Sequence, residues 1–373
     1  MERLSLIQSN LCSAPRRIQE SDVILKEWRG KCFKMALNRP RQLNTLNLKM
    51  QRAILQAIEE ANESASVYIL KSTSPGRVFC AGGDVIEAST QFAKHFEDGI
   101  LRYYKMFLSM AKAKPITVAF WDGIVMGGGA GLSSNCNIRI ATENTQYAMP
   151  EAKLGYLTDV GSTYFLSRLR KNIGLFLAFS AYSLKGKEAY QVGIADYYVQ
   201  SKNLPALEAE IERVSQFPAV NEAMIREVCE KFAENIFKSY DGEDVIDELF
   251  QGKDVEEIIN KLKEESQENE RVGRWYQDIM KNSPMSFYYS FELLKRGKSL
   301  NLQEALSLEA YLTERVNFAE FQEGIRAVLK EKGSKPNWSL KVEELKNLNI
   351  DDYFPRELKV LDFLAFKEKE TAQ

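Results

Sequence analysis

The sequence predicts an α/β fold followed by a helical C-terminal region. Up to residue 204, β-branched apolar runs such as Val67–Leu70 and Ile116–Phe120 alternate with segments of helical periodicity. Such alternation is typical of α/β domains. Beyond residue 204 the chain is rich in charge, keeps a helical periodicity and has no good strand pattern. We therefore predict a core over residues 21–204 and a helical region over residues 205–373.

Local patterns in the first part of the chain predict a hairpin and two helices. Val23–Leu25 and Cys32–Leu37 are apolar runs on either side of a turn at Arg29-Gly30. Asn47 can cap a helix whose apolar residues share one face, namely Met50, Ile54, Ala57, Ile58 and Ala61. A further helix is expected around Asp98–Lys112.

The later part of the chain predicts helices. Thr163–Arg170 and Leu175–Ala181 have helical patterns, and Asn282-Ser283-Pro284 can begin a helix that Gly297 ends. Glu243–Glu270 is dense in Asp, Glu and Lys, which is typical of solvated helix faces. An apolar stripe at helical spacing is expected in the core: Ala305, Leu308, Leu312 and Val316.

Composition excludes several classes of protein. The 373 residues carry a net charge of −2, which argues against a general nucleic-acid binder. No apolar run approaches the roughly 20 residues of a membrane span, so no membrane partner is expected. The five cysteines are scattered without a C-x-x-C pair, which predicts neither disulfides nor a metal site and fits a reducing compartment. The one histidine, His95, lies away from the candidate sites in sequence, so we expect it at the surface.

A glycine run carries the first chemical signal. The strand at Ile116–Phe120 precedes Gly127–Gly131, and a short helix can begin at Leu132. Glycine lets backbone amides approach a ligand, and amides at a helix start bind negative charge. Two carboxylates follow, Glu151 and Asp159. Amides for an oxyanion together with carboxylates that move protons suggest acyl-group chemistry.

Other interpretations of this run are a tight turn or a close-packing point. A Walker A motif is excluded because no Gly-Lys-Ser/Thr ending follows, and the dinucleotide pattern fails at Leu132. A second glycine site, in Phe79–Asp84, follows the strand at Val67–Leu70. Because an oxyanion hole needs two donors from separate segments, this second site supports the chemical interpretation.

At these residues the sequence resembles the enoyl-CoA hydratase/isomerase (crotonase) superfamily, and within it the 3-hydroxyisobutyryl-CoA hydrolase branch. The matching blocks are Leu37–Pro40 with Leu43–Leu46, Phe79–Asp84, Met126–Gly129, Met149–Gly161 and Phe321–Leu329. The resemblance spans roughly residues 20 to 340 in one order. It implies a crotonase-like spiral of ββα units that precedes the helical region.

The resemblance also implies the site residues. The oxyanion donors fall on the amides of Gly83 and Gly128. Glu151 matches a hydratase glutamate and would act as general base on water or attack the thioester directly. The other hydratase glutamate is replaced by Gly131. Asp159 matches the aspartate of the hydrolase branch and would bind the substrate 3-hydroxyl or relay a proton.

Three positions depart from the pattern of the resemblance. Thr158 stands where proline is usual, and Ile86 stands where a basic residue is usual. Tyr103 lies where the hydrolases tend to carry paired glutamates, so we predict that it replaces a substrate-binding carboxylate. This change leaves the acyl group in question.

The resemblance implies hydrolysis of a short branched β-hydroxyacyl-CoA thioester, as in valine breakdown. No cofactor is expected, because CoA belongs to the substrate, and no metal is expected. The alternative is a non-catalytic member built into a large assembly such as the mitochondrial ribosome. The expected partners are therefore the acyl-CoA substrate, a second copy in a homo-oligomer, or mitochondrial ribosomal subunits. Residues 1–20 contain Arg3, Arg16 and Arg17 and few acids, which predicts either a mitochondrial transit segment or a floppy N-terminus. The predicted location is mitochondrial.

Overall fold

Two β-sheets organise the computed structural model, which describes residues 22–316, 318–331 and 333–367, without the side chains of residues 86 and 88–98. The strands are β1 (Ile24–Arg29), β2 (Cys32–Leu37), β3 (Val67–Ser72), β4 (Val78–Cys80), β5 (Ile116–Trp121), β6 (Ile124–Met126), β7 (Ile138–Ala141), β8 (Gln146–Ala148), β9 (Leu184–Lys185) and β10 (Tyr197–Tyr198). The larger sheet has the order β1-β2-β3-β5-β7-β10, and the smaller sheet has the order β4-β6-β8-β9.

The helices follow the strands in a repeating pattern. The α-helices are α1 (Leu48–Ser64), α2 (Val85–Ala111), α3 (Gly128–Ser133), α4 (Ser162–Phe165), α5 (Ile173–Ser180), α6 (Gly186–Gln191), α7 (Leu204–Ser215), α8 (Glu222–Phe232), α9 (Glu243–Leu249), α10 (Val255–Glu265), α11 (Glu270–Ile279), α12 (Pro284–Gly297), α13 (Leu302–Thr313) and α14 (Phe318–Ile325). The sets β3-β4-α2 and β5-β6-α3 are successive ββα units. The first strand of each unit joins the larger sheet and the second joins the smaller one, through parallel pairs.

The predicted hairpin and the first helix are confirmed. Strands β1 and β2 pair in antiparallel register, from Ile24 opposite Leu37 to Arg29 opposite Cys32. The side chain of Asn47 accepts a hydrogen bond from the Met50 amide and so caps α1. The buried residues of α1 are the five that the apolar periodicity predicts.

Two helix starts differ from the prediction. Helix α2 begins at Val85 rather than near residue 98, because the Asp84 side chain accepts from the Glu87 amide at 3.3 Å and caps it. Helix α3 begins at Gly128, inside the glycine run rather than after it. Strand β4, Val78–Cys80, lies where the sequence analysis predicts no strand. The predictions for residues 1–20 and for the His95 side chain lie outside what the structure describes.

The region after β10 is helical, as predicted. Helix α12 has the predicted bounds, and the α13 stripe packs into the core at Ala305, Leu308 and Leu312. The segment 333–367 then runs back over the helices and buries Phe354 and Phe363. Within the described ranges, no helix combines the length and apolar character that crossing a membrane requires. The division of the chain at residue 204 stays a prediction.

Candidate active site

The turn after β4 holds Gly83 beside the N-terminal part of the chain. The Leu46 amide donates to the Gly82 carbonyl at 2.8 Å, and Leu46 forms a parallel bridge with Gly83. The Ala81 amide donates to the Leu43 carbonyl at 3.0 Å. Gly82 has a φ of +108°, a conformation that favours glycine. These bonds fix the backbone of Gly83 at the edge of a cavity.

The second glycine site lies where β6 turns into α3. Gly127 has a φ of +47°, and a Cβ there would lie 2.9 Å from the Glu151 Oε1 atom. A Cβ at Gly128 would lie 3.2 Å from the Gly83 amide nitrogen, so the two glycines are neighbours. Across the described ranges, neither the Gly83 amide nor the Gly128 amide donates a hydrogen bond to the protein. Two unused donors therefore lie side by side.

Glu151 faces these donors from a short 3-10 helix, Glu151–Leu154. The residue is only 7% exposed, and its buried Oε2 atom has no hydrogen-bond partner. Burial, with the neighbouring charges of Asp159 and Glu309, raises the pKa of Glu151 well above its usual range. A buried carboxylate oxygen without a partner in a cavity is suited to hold a water or a substrate group.

Asp159 is the second carboxylate of the cavity and is 6% exposed. Its Oδ2 atom accepts a hydrogen bond from the Tyr104 hydroxyl at 2.9 Å. That hydroxyl also lies 3.3 Å from Thr313 Oγ1 on α13. Burial raises the pKa of Asp159 to about 7, and the Tyr104 hydrogen bond opposes this rise. Asp159 can therefore change protonation state near neutral pH.

Glu309 is a third buried carboxylate that sequence reasoning missed. It lies on α13 and accepts from the Gly161 amide at 2.7 Å and from the Thr163 amide at 2.9 Å. Burial raises its pKa to about 8, and the charge of Asp159 acts in the same direction. Glu309 thus ties the turn after Asp159 to the helical region. The sequence contains one indication of this residue, since Glu309 is an acidic residue among the apolar residues of a predicted helix.

Tyr103 projects from α2 toward both glycines. Its ring packs edge-on against Phe107, with 4.5 Å between centroids. Its hydroxyl oxygen lies 1.8 Å from where a Cβ of residue 128 would be and 3.1 Å from the corresponding point at residue 83. Any side chain at Gly128 would collide with it.

All five residues predicted for the site line one cavity of about 220 Å³. The structure brings together Gly83, Gly128, Glu151, Asp159 and Tyr103. The roles assigned to them stay predictions. The cavity also touches the helical region through Phe321, so both parts of the chain contribute to its wall.

Comparison with known proteins identifies the family of this site. The family described as Enoyl-CoA hydratase/isomerase matches residues 32–354. The chain belongs to this family. Among curated family members, it is 33% identical to the mitochondrial 3-hydroxyisobutyryl-CoA hydrolase of Xenopus tropicalis, over 94% of this chain and 93% of that protein. It is 34% identical to the probable 3-hydroxyisobutyryl-CoA hydrolase 2 of Arabidopsis thaliana, over 89% of this chain and 91% of that protein.

Similar solved structures confirm the crotonase-like fold. An enoyl-CoA hydratase from Rhodobacter sphaeroides superposes with a TM-score of 0.74 at 28% identity, covering 87% of this chain and 96% of its own. A carnitinyl-CoA dehydratase from Mycobacterium thermoresistibile has a TM-score of 0.79 at 24% identity, covering 93% of this chain and 100% of its own. The helical C-terminal region is part of the architecture, as predicted.

The structure shows what surrounds two of the residues that depart from the family pattern. The Thr158 hydroxyl, where proline is usual, lies 3.1 Å from Ser290 Oγ and so links the Asp159 turn to α12. Gly131, where hydratases of the family carry glutamate, packs against Val160. The Ile86 side chain lies outside the described part of the structure.

Proposed function

We propose that this chain hydrolyses 3-hydroxyisobutyryl-CoA, a short branched β-hydroxyacyl thioester, to the free acid and CoA. One observation carries the proposal: Glu151 presents a buried, unpartnered carboxylate oxygen in the cavity that also holds the unused amides of Gly83 and Gly128. The curated relatives named above support the same activity, since both are named as 3-hydroxyisobutyryl-CoA hydrolases.

The proposed reaction begins with the thioester oxygen accepting hydrogen bonds from the Gly83 and Gly128 amides. Glu151 takes a proton from water, and the water oxygen attacks the carbonyl carbon. Negative charge then develops on the oxygen between the two amides, where preorganised donors stabilise it. The carbon–sulfur bond breaks, and the CoA thiolate leaves and takes up the proton that Glu151 gained from water. In the alternative route, Glu151 attacks the carbonyl itself and the CoA thiolate leaves, and water then cleaves the resulting anhydride and restores the Glu151 carboxylate.

Asp159 has two proposed roles in this site. Its Oδ2 atom is occupied by Tyr104, so the other carboxylate oxygen is the one available to the substrate. That oxygen would accept a hydrogen bond from the 3-hydroxyl group of the acyl chain. A carboxyl group with a pKa near neutrality could also relay a proton to the leaving thiolate.

The geometry favours hydrolysis over hydration. Hydration of a C=C bond needs a second acid–base group, and in this chain that position is Gly131. Val160 fills the space that a side chain at residue 131 would occupy. Hydrolysis requires less, namely an oxyanion site, one base and a leaving group that departs readily.

The enzyme proposal is preferred to the structural-subunit alternative because the relatives named above carry the names of hydrolases. We propose a mitochondrial location, since the Xenopus relative is named as mitochondrial. Imaging of a C-terminally tagged chain against a mitochondrial marker tests this location. A homo-oligomer, mitochondrial ribosomal partners and the absence of a cofactor stay predictions.

The activity is tested with the purified full chain and 3-hydroxyisobutyryl-CoA, with free CoA detected by a thiol reagent. Release of CoA that increases with enzyme concentration supports the proposal. A well-folded chain that binds the substrate and releases no CoA contradicts it.

A further inference from the structure

The Tyr103 hydroxyl lies beside the two glycines whose amides we assign to the thioester oxygen. It is close to the backbone of both donor glycines, as the distances of 1.8 Å and 3.1 Å from the two Cβ positions show. The Gly83 amide is itself 3.2 Å from the Cβ position of Gly128. The hydroxyl and the two glycines therefore border the same part of the cavity.

None of these three donors is used by the protein. Over the described residues, no hydrogen bond is present at the Tyr103 hydroxyl or from the amides of Gly83 and Gly128. All three residues line the cavity, so an acceptor oxygen from a ligand is expected there. The packing of the Tyr103 ring on Phe107 holds the hydroxyl in place before the ligand arrives.

The surroundings keep the hydroxyl in its donor form. Burial and the charges of Asp159, Glu151 and neighbouring groups raise the pKa of Tyr103 well above its usual range. The phenol therefore stays protonated at neutral pH, and it offers an O–H group rather than a negative charge. A neutral donor beside two amides complements a developing oxyanion.

We propose that Tyr103 is a catalytic residue whose hydroxyl is the third hydrogen-bond donor to the thioester oxygen, beside the Gly83 and Gly128 amides. This inference rests on the proposed function. No bond is made or broken at Tyr103, and the hydroxyl keeps its proton throughout. Its hydrogen bond strengthens as negative charge develops on the substrate oxygen, so it acts on turnover more than on binding.

Kinetics of Tyr103→Phe test this role, with Tyr68→Phe as the matched control. Tyr68 is a buried tyrosine outside the cavity, and its hydroxyl contacts Met35 Sδ at 3.2 Å. Removing one oxyanion donor typically lowers kcat by about 100-fold or more. We expect a loss of this size in kcat in Tyr103→Phe with a smaller rise in KM, of about tenfold at most, and normal kinetics in Tyr68→Phe. An unchanged or raised kcat in Tyr103→Phe would overturn the proposal.

Binding of two inert analogues gives a readout that does not depend on turnover. The first analogue replaces the thioester sulfur with CH2 and keeps the carbonyl oxygen. The second is a thioether that keeps sulfur and lacks that oxygen. Tyr103→Phe should lower the affinity for the carbonyl analogue about tenfold, which is the effect of one hydrogen bond. The affinity for the thioether should stay unchanged.

The analogue experiment separates this inference from the proposed function. Equal losses on both analogues, or a loss on neither, would show that Tyr103 does not contact the thioester oxygen. A wild-type chain that binds neither analogue would contradict the proposed function, and this inference with it.

Discussion

Val160 occupies the space beside Gly131: a Cβ built on Gly131 would lie 2.5 Å from the Val160 Cβ and 2.7 Å from the Val160 carbonyl oxygen. Val160 has a φ of +60°, which few residues with a branched side chain adopt. It belongs to the same turn as Asp159, so the turn that delivers this carboxylate also closes the position of the second hydratase glutamate. In this chain, a side chain at residue 131 would therefore have to displace Val160.

Gly131→Ala tests this contact through stability. The added methyl group would collide with Val160, and overpacking of this kind typically costs about 1–3 kcal/mol. We expect a lower free energy of unfolding in chemical denaturation. Gly99→Ala is the control, because a Cβ at Gly99 meets nothing within 4 Å. Equal stability of the two variants would show that Val160 leaves room for a side chain at residue 131.

Glu151→Gln tests the general base. The change keeps the shape of the side chain and removes its basicity, and one acid–base group typically contributes 10²–10⁴-fold to the rate. Steady-state CoA release should fall by this factor while the affinity for the carbonyl analogue is largely kept. Glu270→Gln, which alters an exposed carboxylate on α11, is the control. Retention of more than about a tenth of wild-type turnover in Glu151→Gln would remove Glu151 from the mechanism.

Asp159→Asn tests whether Asp159 reads the substrate hydroxyl. An amide in place of the carboxylate weakens the acceptor that the 3-hydroxyl group would use. We therefore expect a larger loss of kcat/KM on 3-hydroxyacyl-CoA than on the matching acyl-CoA without the hydroxyl. The two substrates serve as each other's control. Equal losses on both would show that Asp159 moves protons without reading the hydroxyl.

Asp159→Asn also tests the electrostatics of the site. Burial raises the pKa of Asp159 from 3.8 to about 7, so the folded chain binds a proton that the unfolded chain has released. The wild type should therefore lose stability relative to Asp159→Asn as the pH rises from about 4 to about 7, by up to about 1.4 kcal/mol per pH unit. Denaturant unfolding at several pH values measures the gap in unfolding free energy between the wild type and Asp159→Asn. A gap that is constant with pH would contradict the raised pKa.

Much of the fold follows from local pattern, and the departures have physical causes. The face of α1 could be predicted from its apolar periodicity, and the strands β3 and β5 could be predicted from continuous apolar runs. Strand β4 has three residues, which is too short for a periodic signal. The start of α2 depends on the Asp84 cap, and this residue lies within a block that the resemblance had already assigned to the site.

The site likewise has residues that the sequence predicts and features that it does not predict. Gly83, Gly128, Glu151 and Asp159 lie in sequence blocks that match the family, so their presence in one cavity could be predicted. Glu309 could not be found in this way, because its partner Gly161 is 148 positions away in the chain. The direction of the Tyr103 hydroxyl depends on the packing of α2, which sequence alone does not give.

The most direct test of the proposed function compares the rates of hydrolysis and hydration on one preparation of the full chain. CoA release from saturated 3-hydroxyisobutyryl-CoA is followed with a thiol reagent, and hydration of crotonyl-CoA is followed by loss of the enoyl absorbance. Because Gly131 lacks an acid–base group, hydration should be slower by about 10²–10⁴-fold. We predict rapid thiol release and little loss of enoyl absorbance. Rapid loss of enoyl absorbance without thiol release would contradict the account.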